Sequence, residues 1–190
     1  NGNANMLFVD GGEDIVALGK SGSHTVGGFK NTLQIDGTAA TTSSISITRN
    51  TNDSNPAYLQ FGKSRGTSSG SNTIVQDDDE IAQITFNAAD GTNRDTPAAS
   101  IRAAIDGTPG ENDMPGRLTF HTTDDGGSSS TQRMVINSSG NVGIGTTAPA
   151  AMFNVRRNSG EIAYFQNNAG TGAKITAGNN SFSTVSDENK

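Results

Sequence analysis

Positions 132–149 read QRMVINSSGNVGIGTTAP, and this stretch restricts what the chain can fold into more than any other. Two short strand-like pieces, 134–137 and 141–145, are joined by Ser138-Ser139-Gly140. In the second piece Val142 and Ile144 alternate with Gly143 and Gly145, and a small-residue run ending in Pro149 closes it. A glycine puts no side chain on its face of a strand, so another backbone can approach closely. That favours an interwoven β-structure over an ordinary enzyme core. The glycine spacing is no dinucleotide fingerprint either, because 146–149 leaves no helix to receive a phosphate.

The supply of large apolar residues agrees with this. Leu, Ile, Val and Phe make up about 18% of the 190 residues, under the ~20% associated with disorder when net charge is high. Net charge is only −6, so self-repulsion does not hold the chain open. A thin core is usually reinforced by disulfides, metal or association. There is no cysteine, and two histidines without a spaced ligand cluster make no structural zinc site. Association of copies remains. The acidic balance argues against nucleic acid as a partner. No apolar run reaches the roughly 18 residues of a membrane span, so no membrane insertion is expected. The opening NGNANMLF lacks the charged start and apolar stretch of a signal peptide. Without an initiator methionine, the chain is expected to be a fragment or a processed piece.

Apolar residues come in short alternating bursts bounded by Gly, Asn, Asp and Ser, the pattern of strands and turns. Strands are expected at 6–9, 15–18, 32–35, 44–48 and 57–61. A second group is expected at 81–86, 99–105, 117–121 and 132–136, enough for one antiparallel sheet, with later strands at 152–155, 162–166 and 174–176. In this group Ile101, Ala103 and Ile105 share a face, Leu118 and Phe120 share another, and Met134 and Ile136 continue the pattern. A short helix over 98–105 is the alternative there, since Ala and Arg favour helices.

Several clusters invite a chemical reading beside a plainer one. The run Gln76-Asp77-Asp78-Asp79-Glu80 offers oxygen ligands for calcium or is a solvated loop, and it lacks EF-hand spacing. Asp124 and Asp125 could pair as glycosidase carboxylates or sit in a hairpin loop. His24 and His121 read as structural or surface residues, and no G-x-S-x-G elbow accompanies them. Tyr58, Phe61, Tyr164 and Phe165 are either sugar-stacking platforms or core. No catalytic residue, cofactor site or metal site is assigned.

Within 57–149 stand Ala99-Ser100-Ile101-Arg102-Ala103, Asp106-Gly107-Thr108-Pro109-Gly110, Asp113-Met114-Pro115-Gly116-Arg117-Leu118, Phe120, Gln132-Arg133-Met134 and the 138–149 signature. On these residues the stretch resembles the distal shaft of tail fibres of tailed bacteriophages, of marine and cyanobacterial type. About half the chain is covered. The resemblance implies a homotrimeric β-fibre on a virion, acting in host attachment and carrying no catalytic residue. The ending Val185-Ser186-Asp187-Glu188-Asn189-Lys190 resembles the junction at which an endosialidase-type intramolecular chaperone begins. In that family the chaperone guides trimerisation and cleaves itself off between Ser and Asp, which matches Ser186 and Asp187. The family continues with a basic residue and then Leu-Lys, whereas this chain has Glu188-Asn189-Lys190. An ordinary polar tail stays open as the plainer reading.

The expected fold is therefore all-β: an elongated, intertwined homotrimeric fibre of β-prism or triple-β-helix-like segments and small antiparallel sheets. The expected divisions are an N-terminal shaft segment 1–56, an antiparallel domain 57–137, a glycine-rich intertwined segment 138–180 and a polar tail 181–190. The trimer core is expected to use Val142, Ile144, Ile101, Ile105, Leu118, Phe120, Met134 and Ile136. The expected role is structural and adhesive, with other tail proteins and a host surface glycan or protein receptor as partners. A polysaccharide-depolymerising tailspike fragment and a bacterial surface adhesin or filament subunit are the alternatives.

Overall fold

A computed structural model describes residues 8–12, 15–18 and 24–157. The chain divides after Arg156, and every element below lies in Asn1–Arg156. Regular structure among the described residues is all strand, apart from one 3-10 turn at Ala40–Thr42. The all-β expectation holds.

Short pairings come first. Strand β1 (Phe8–Asp10) is antiparallel to β2 (Ile15–Leu18), while β2 is parallel to β5 (Leu33–Ile35). Between them lies a hairpin absent from the sequence expectations, β3 (Thr25–Val26) with β4 (Phe29–Lys30). Its turn residues Gly27 and Gly28 have φ of 64° and 77°, the conformation a tight two-residue turn demands. The expected strands at 162–166 and 174–176, and the Ser186-Asp187 junction, lie outside the described residues.

The expected strands 44–48 and 57–61 are not strands here, because no other described segment pairs with them. Alternating side chains supply only half of what a strand requires. The other half is a neighbouring edge.

From residue 80 the chain builds a six-stranded sheet, β6 (Glu80–Asn87), β7 (Pro97–Ile105), β8 (Gly116–Thr123), β9 (Ser130–Ile136), β10 (Val142–Ile144) and β11 (Phe153–Val155), ordered as in the sequence. Each of β7 to β10 runs antiparallel to the one before, and β11 is parallel to β10. The helix alternative for 98–105 fails, because β7 is paired along both edges. Register slips between Phe120 and His121, so Arg133 is the extra residue of a bulge. The re-aimed guanidinium reaches Thr122 Oγ1 at 2.9 Å and the Asp124 carboxylate.

Gly143 in β10 and Gly145 just after it admit a close backbone, as their spacing suggested, but it is the chain's own. A Cβ on Gly143 would stand 3.0 Å from the Thr146 carbonyl oxygen, and one on Gly145 would run into the Arg156 carbonyl. The approaching chain is held by Arg156 N–H donating to the Ile144 carbonyl at 2.9 Å. Among the described residues the buried apolar side chains are few: Ala17, Val75, Ala104, Ile105 and Val135.

Candidate functional site

Directly paired residues of neighbouring strands point to the same side of a sheet. The registers therefore align two apolar rows across the six strands. One row is Ile84, Ile101, Phe120, Met134, Ile144 and Val155. The other is Ala82, Ala103, Leu118, Ile136, Val142 and Phe153. All the expected trimer-core residues except Ile105 lie in these rows. Ile105 follows Ala103 on the same side, but it is fully buried in the single chain. The loop before β6 closes over it: its N–H donates to Asp79 O at 2.9 Å, and its carbonyl accepts from Asp78 N–H at 3.2 Å.

This apolar face is uncovered. Ile84 is 43% exposed, Leu118 37%, Ile144 40% and Phe153 65%. Every substantial contact between described strands is made within one sheet. A domain normally buries a sheet face beneath a second layer, and no described strand supplies one here. Fully burying one Ile, Leu or Phe is worth about 1.5–3 kcal/mol, so covering the exposed part of these side chains would be favourable by a fraction of that each.

The opposite face is closed by its own polar side chains. Arg102 donates to Ser100 Oγ at 3.2 Å, Ser130 Oγ at 3.3 Å and Glu80 Oε1 at 3.2 Å. His121 Nε2 lies 3.0 Å from Thr119 Oγ1, and its buried Nδ1 has no partner. Burial, aided by the neighbouring Arg102 charge, pushes the His121 pKa below the ordinary imidazole value. Ser100 and His121 are direct cross-strand partners. Each is engaged by a different neighbour, and no Ser–His–carboxylate relay is assembled.

The acidic run 76–80 is a structural clasp. Asp77 Oδ1 accepts from Gly107 N–H at 2.7 Å, and Asp78 pairs with Arg117 at 2.7 Å. Asp79 takes two hydrogen bonds from Arg65, at 2.6 and 2.8 Å, and one from Gln76 N–H at 3.0 Å. The Arg65 bonds, then that of Gln76, hold its carboxyl well below the usual range. Arg117 also reaches Asp106 at 3.2 Å, and Asp106 accepts from Ser138 N–H at 2.7 Å. The run thus ties the loop before β6 to the loops after β7 and β9. Among the described residues no three such side chains gather as metal ligands.

Other expected sites are dispersed. Asp124 and Asp125 are both exposed, so neither has the apolar surroundings that separate a glycosidase acid from its partner. Tyr58 and Phe61 are 61% and 53% exposed on an unpaired segment, and Tyr164 and Phe165 lie outside the described residues. His24 Nδ1 stands 3.6 Å from Asp36 Oδ2. An open cleft of about 450 Å³ is lined by residues including Lys63, Ile74, Glu111 and Met114. None of these brings convergent chemistry together.

No protein-family model matches the chain, and no curated protein does. Among solved structures, the carboxy-terminal domain of the bacteriophage T5 L-shaped tail fibre aligns with a TM-score of 0.54 at 17% identity, over 80% of this chain and 51% of that one. A structure of the same T5 domain with its intramolecular chaperone domain aligns at 0.44 and 19% identity, over 76% and 36% of the two chains. The first likeness establishes a shared fold. This chain spans about half the length of the T5 chain it matches.

Proposed function

We propose that the chain is a structural and adhesive segment of a phage tail fibre, assembled as a homotrimer and carried outside the cell on the virion. The observation that carries this reading is the uncovered apolar face. Three copies about one axis give every such face a neighbour and leave few open edges. The shared fold with the T5 tail-fibre domain supports it. Val142, Ile144, Ile101, Leu118, Phe120, Met134 and Ile136 form the interchain core, and Ile105 serves the core of its own chain.

The finer reading is a distal fibre of marine or cyanophage type upstream of an endosialidase-type chaperone, with Ser186-Asp187 as the release junction. Segments 1–56, 57–137, 138–180 and 181–190 are its successive parts, and the six-stranded sheet crosses the boundary at 138. Other tail proteins join it to the particle. Weak contacts to a surface glycan or protein receptor, repeated over three chains, add through effective concentration. The polar loops 64–72, 87–97 and 122–130 are the candidate contacts. Catalysis is no part of this role.

Competition tests it. Excess purified protein, added to host cells first, should slow adsorption of the phage that carries this fibre. Undiminished adsorption at saturating protein would overturn the adhesive role. Release of reducing ends from capsule or lipopolysaccharide would point instead to a depolymerising tailspike. End-to-end polymers would point to a surface filament.

A further inference from the structure

Two elements of this chain match in length and pattern, and each lacks a described strand partner on one side or both. The first is the segment 44–49, Ser-Ile-Ser-Ile-Thr-Arg. It alternates strictly, as a strand would, and its Ile45 and Ile47 are 70% and 52% exposed. No residue from 44 to 62 makes a backbone–backbone hydrogen bond. The segment is nonetheless anchored at its end. Arg49 holds Asp53 through two hydrogen bonds, at 2.5 and 2.6 Å, and also reaches the Asn55 carbonyl at 2.6 Å. Arg49 and Asp53 are the only charged residues between 44 and 62 and neutralise each other.

The second element is the outer edge of β6. It is a terminal strand of the six-stranded sheet. Its stretch 81–86, IAQITF, carries no charge and no proline, and Ile84 and Phe86 are 43% and 52% exposed. Open edges are usually guarded by charge, proline or a bulge. Here the irregularities sit only at the ends, at Glu80/Ala82 and Phe86/Asn87. The edge and the segment have the same length, and within one chain no hydrogen bond joins them.

We propose that residues 44–49 of one copy add as a β-strand to the outer edge of β6 in a second copy. This rests on the reading that copies of the chain associate, and it names the element they exchange. The added strand gives the β6 edge and the segment their missing backbone partners. It also sets Ile45 and Ile47 beside Ile84 and Phe86, extending the apolar face by one strand. A second copy is the occupant because it carries both halves of the match. Neither half presents a charge that would select a partner of opposite sign.

Hydrogen exchange read by mass spectrometry, with solution mass measured on the same sample, tests this. In the assembled protein, amides of 44–49 and those amides of 81–86 that point away from β7 should exchange at least about a hundredfold more slowly than unstructured amides, while the inward-pointing amides of β6 are held by β7 in any state. Both sets should lose that protection together on dilution to single chains. Ser46→Pro removes a backbone donor and should expose both sets while β8 stays protected. An assembled protein whose 44–49 amides exchange freely overturns the strand exchange and leaves association through the sheet face standing. Protection of these sets that persists in single chains overturns it too, since the partner is then the chain itself. Single chains at every concentration, with both sets exchanging freely, overturn both readings.

Discussion

Gly145 is the residue on which the end of the sheet depends. Its φ of 70° is left-handed, and its missing side chain leaves room for the Arg156 carbonyl. Its N–H donates to Arg133 O at 2.9 Å. Gly145→Ala should therefore cost about 2 kcal/mol or more, from the left-handed penalty and the hydrogen bonds displaced. Chemical denaturation of the variant against wild type checks this. His121 gives a second expectation at this scale. Its folded pKa lies below its unfolded value, so the fold prefers the neutral ring. Stability is full above about pH 6.5 and declines as pH falls through that value toward the folded pKa. His121→Gln should flatten the decline that sets in as pH falls below the ordinary imidazole value, read as melting temperature. The depressed carboxyls are a separate matter. Asp53, lowered to about 2 by Arg49 and then Asn55 N–H, contributes stability above about pH 4 that is lost as pH falls toward 2.

At the scale of elements, the strands from 80 to 136 were legible because alternation, turn residues and length agreed at every one. Their register was not, and the register is what aligns Ile84 through Val155 into one row. The β3–β4 hairpin went unseen because two-residue strands carry no period, and Gly27-Gly28 was the only available signal. Segment 44–48 shows the converse: a clear period without a pairing edge in its own chain. Gly143 and Gly145 were read correctly as places of close approach, but a lone sequence does not say whose backbone approaches. The acidic run concealed its role because its partners Arg65, Arg102, Arg117 and Gly107 are distant in sequence. Ile144→Asp belongs at this scale. It puts a charge in the apolar row, one strand in from the β11 end of the sheet, and should abolish assembly while β content by circular dichroism stays the same. An intact trimer of Ile144→Asp would refute the assigned face.

For the whole molecule, one apolar face over which no described strand lays a second layer is the controlling fact. With so few apolar residues buried among those described, a single copy gains little stability alone, and its modest charge of −6 does little to oppose association. Three copies are the smallest ring in which each face meets a neighbour and no self-complementary patch is required. The most direct measurement is solution mass by light scattering, before and after heating. The account predicts a heat-resistant species of three chains of 19.5 kDa each. A folded species of one chain, with the sheet intact and its face open to water, would contradict it.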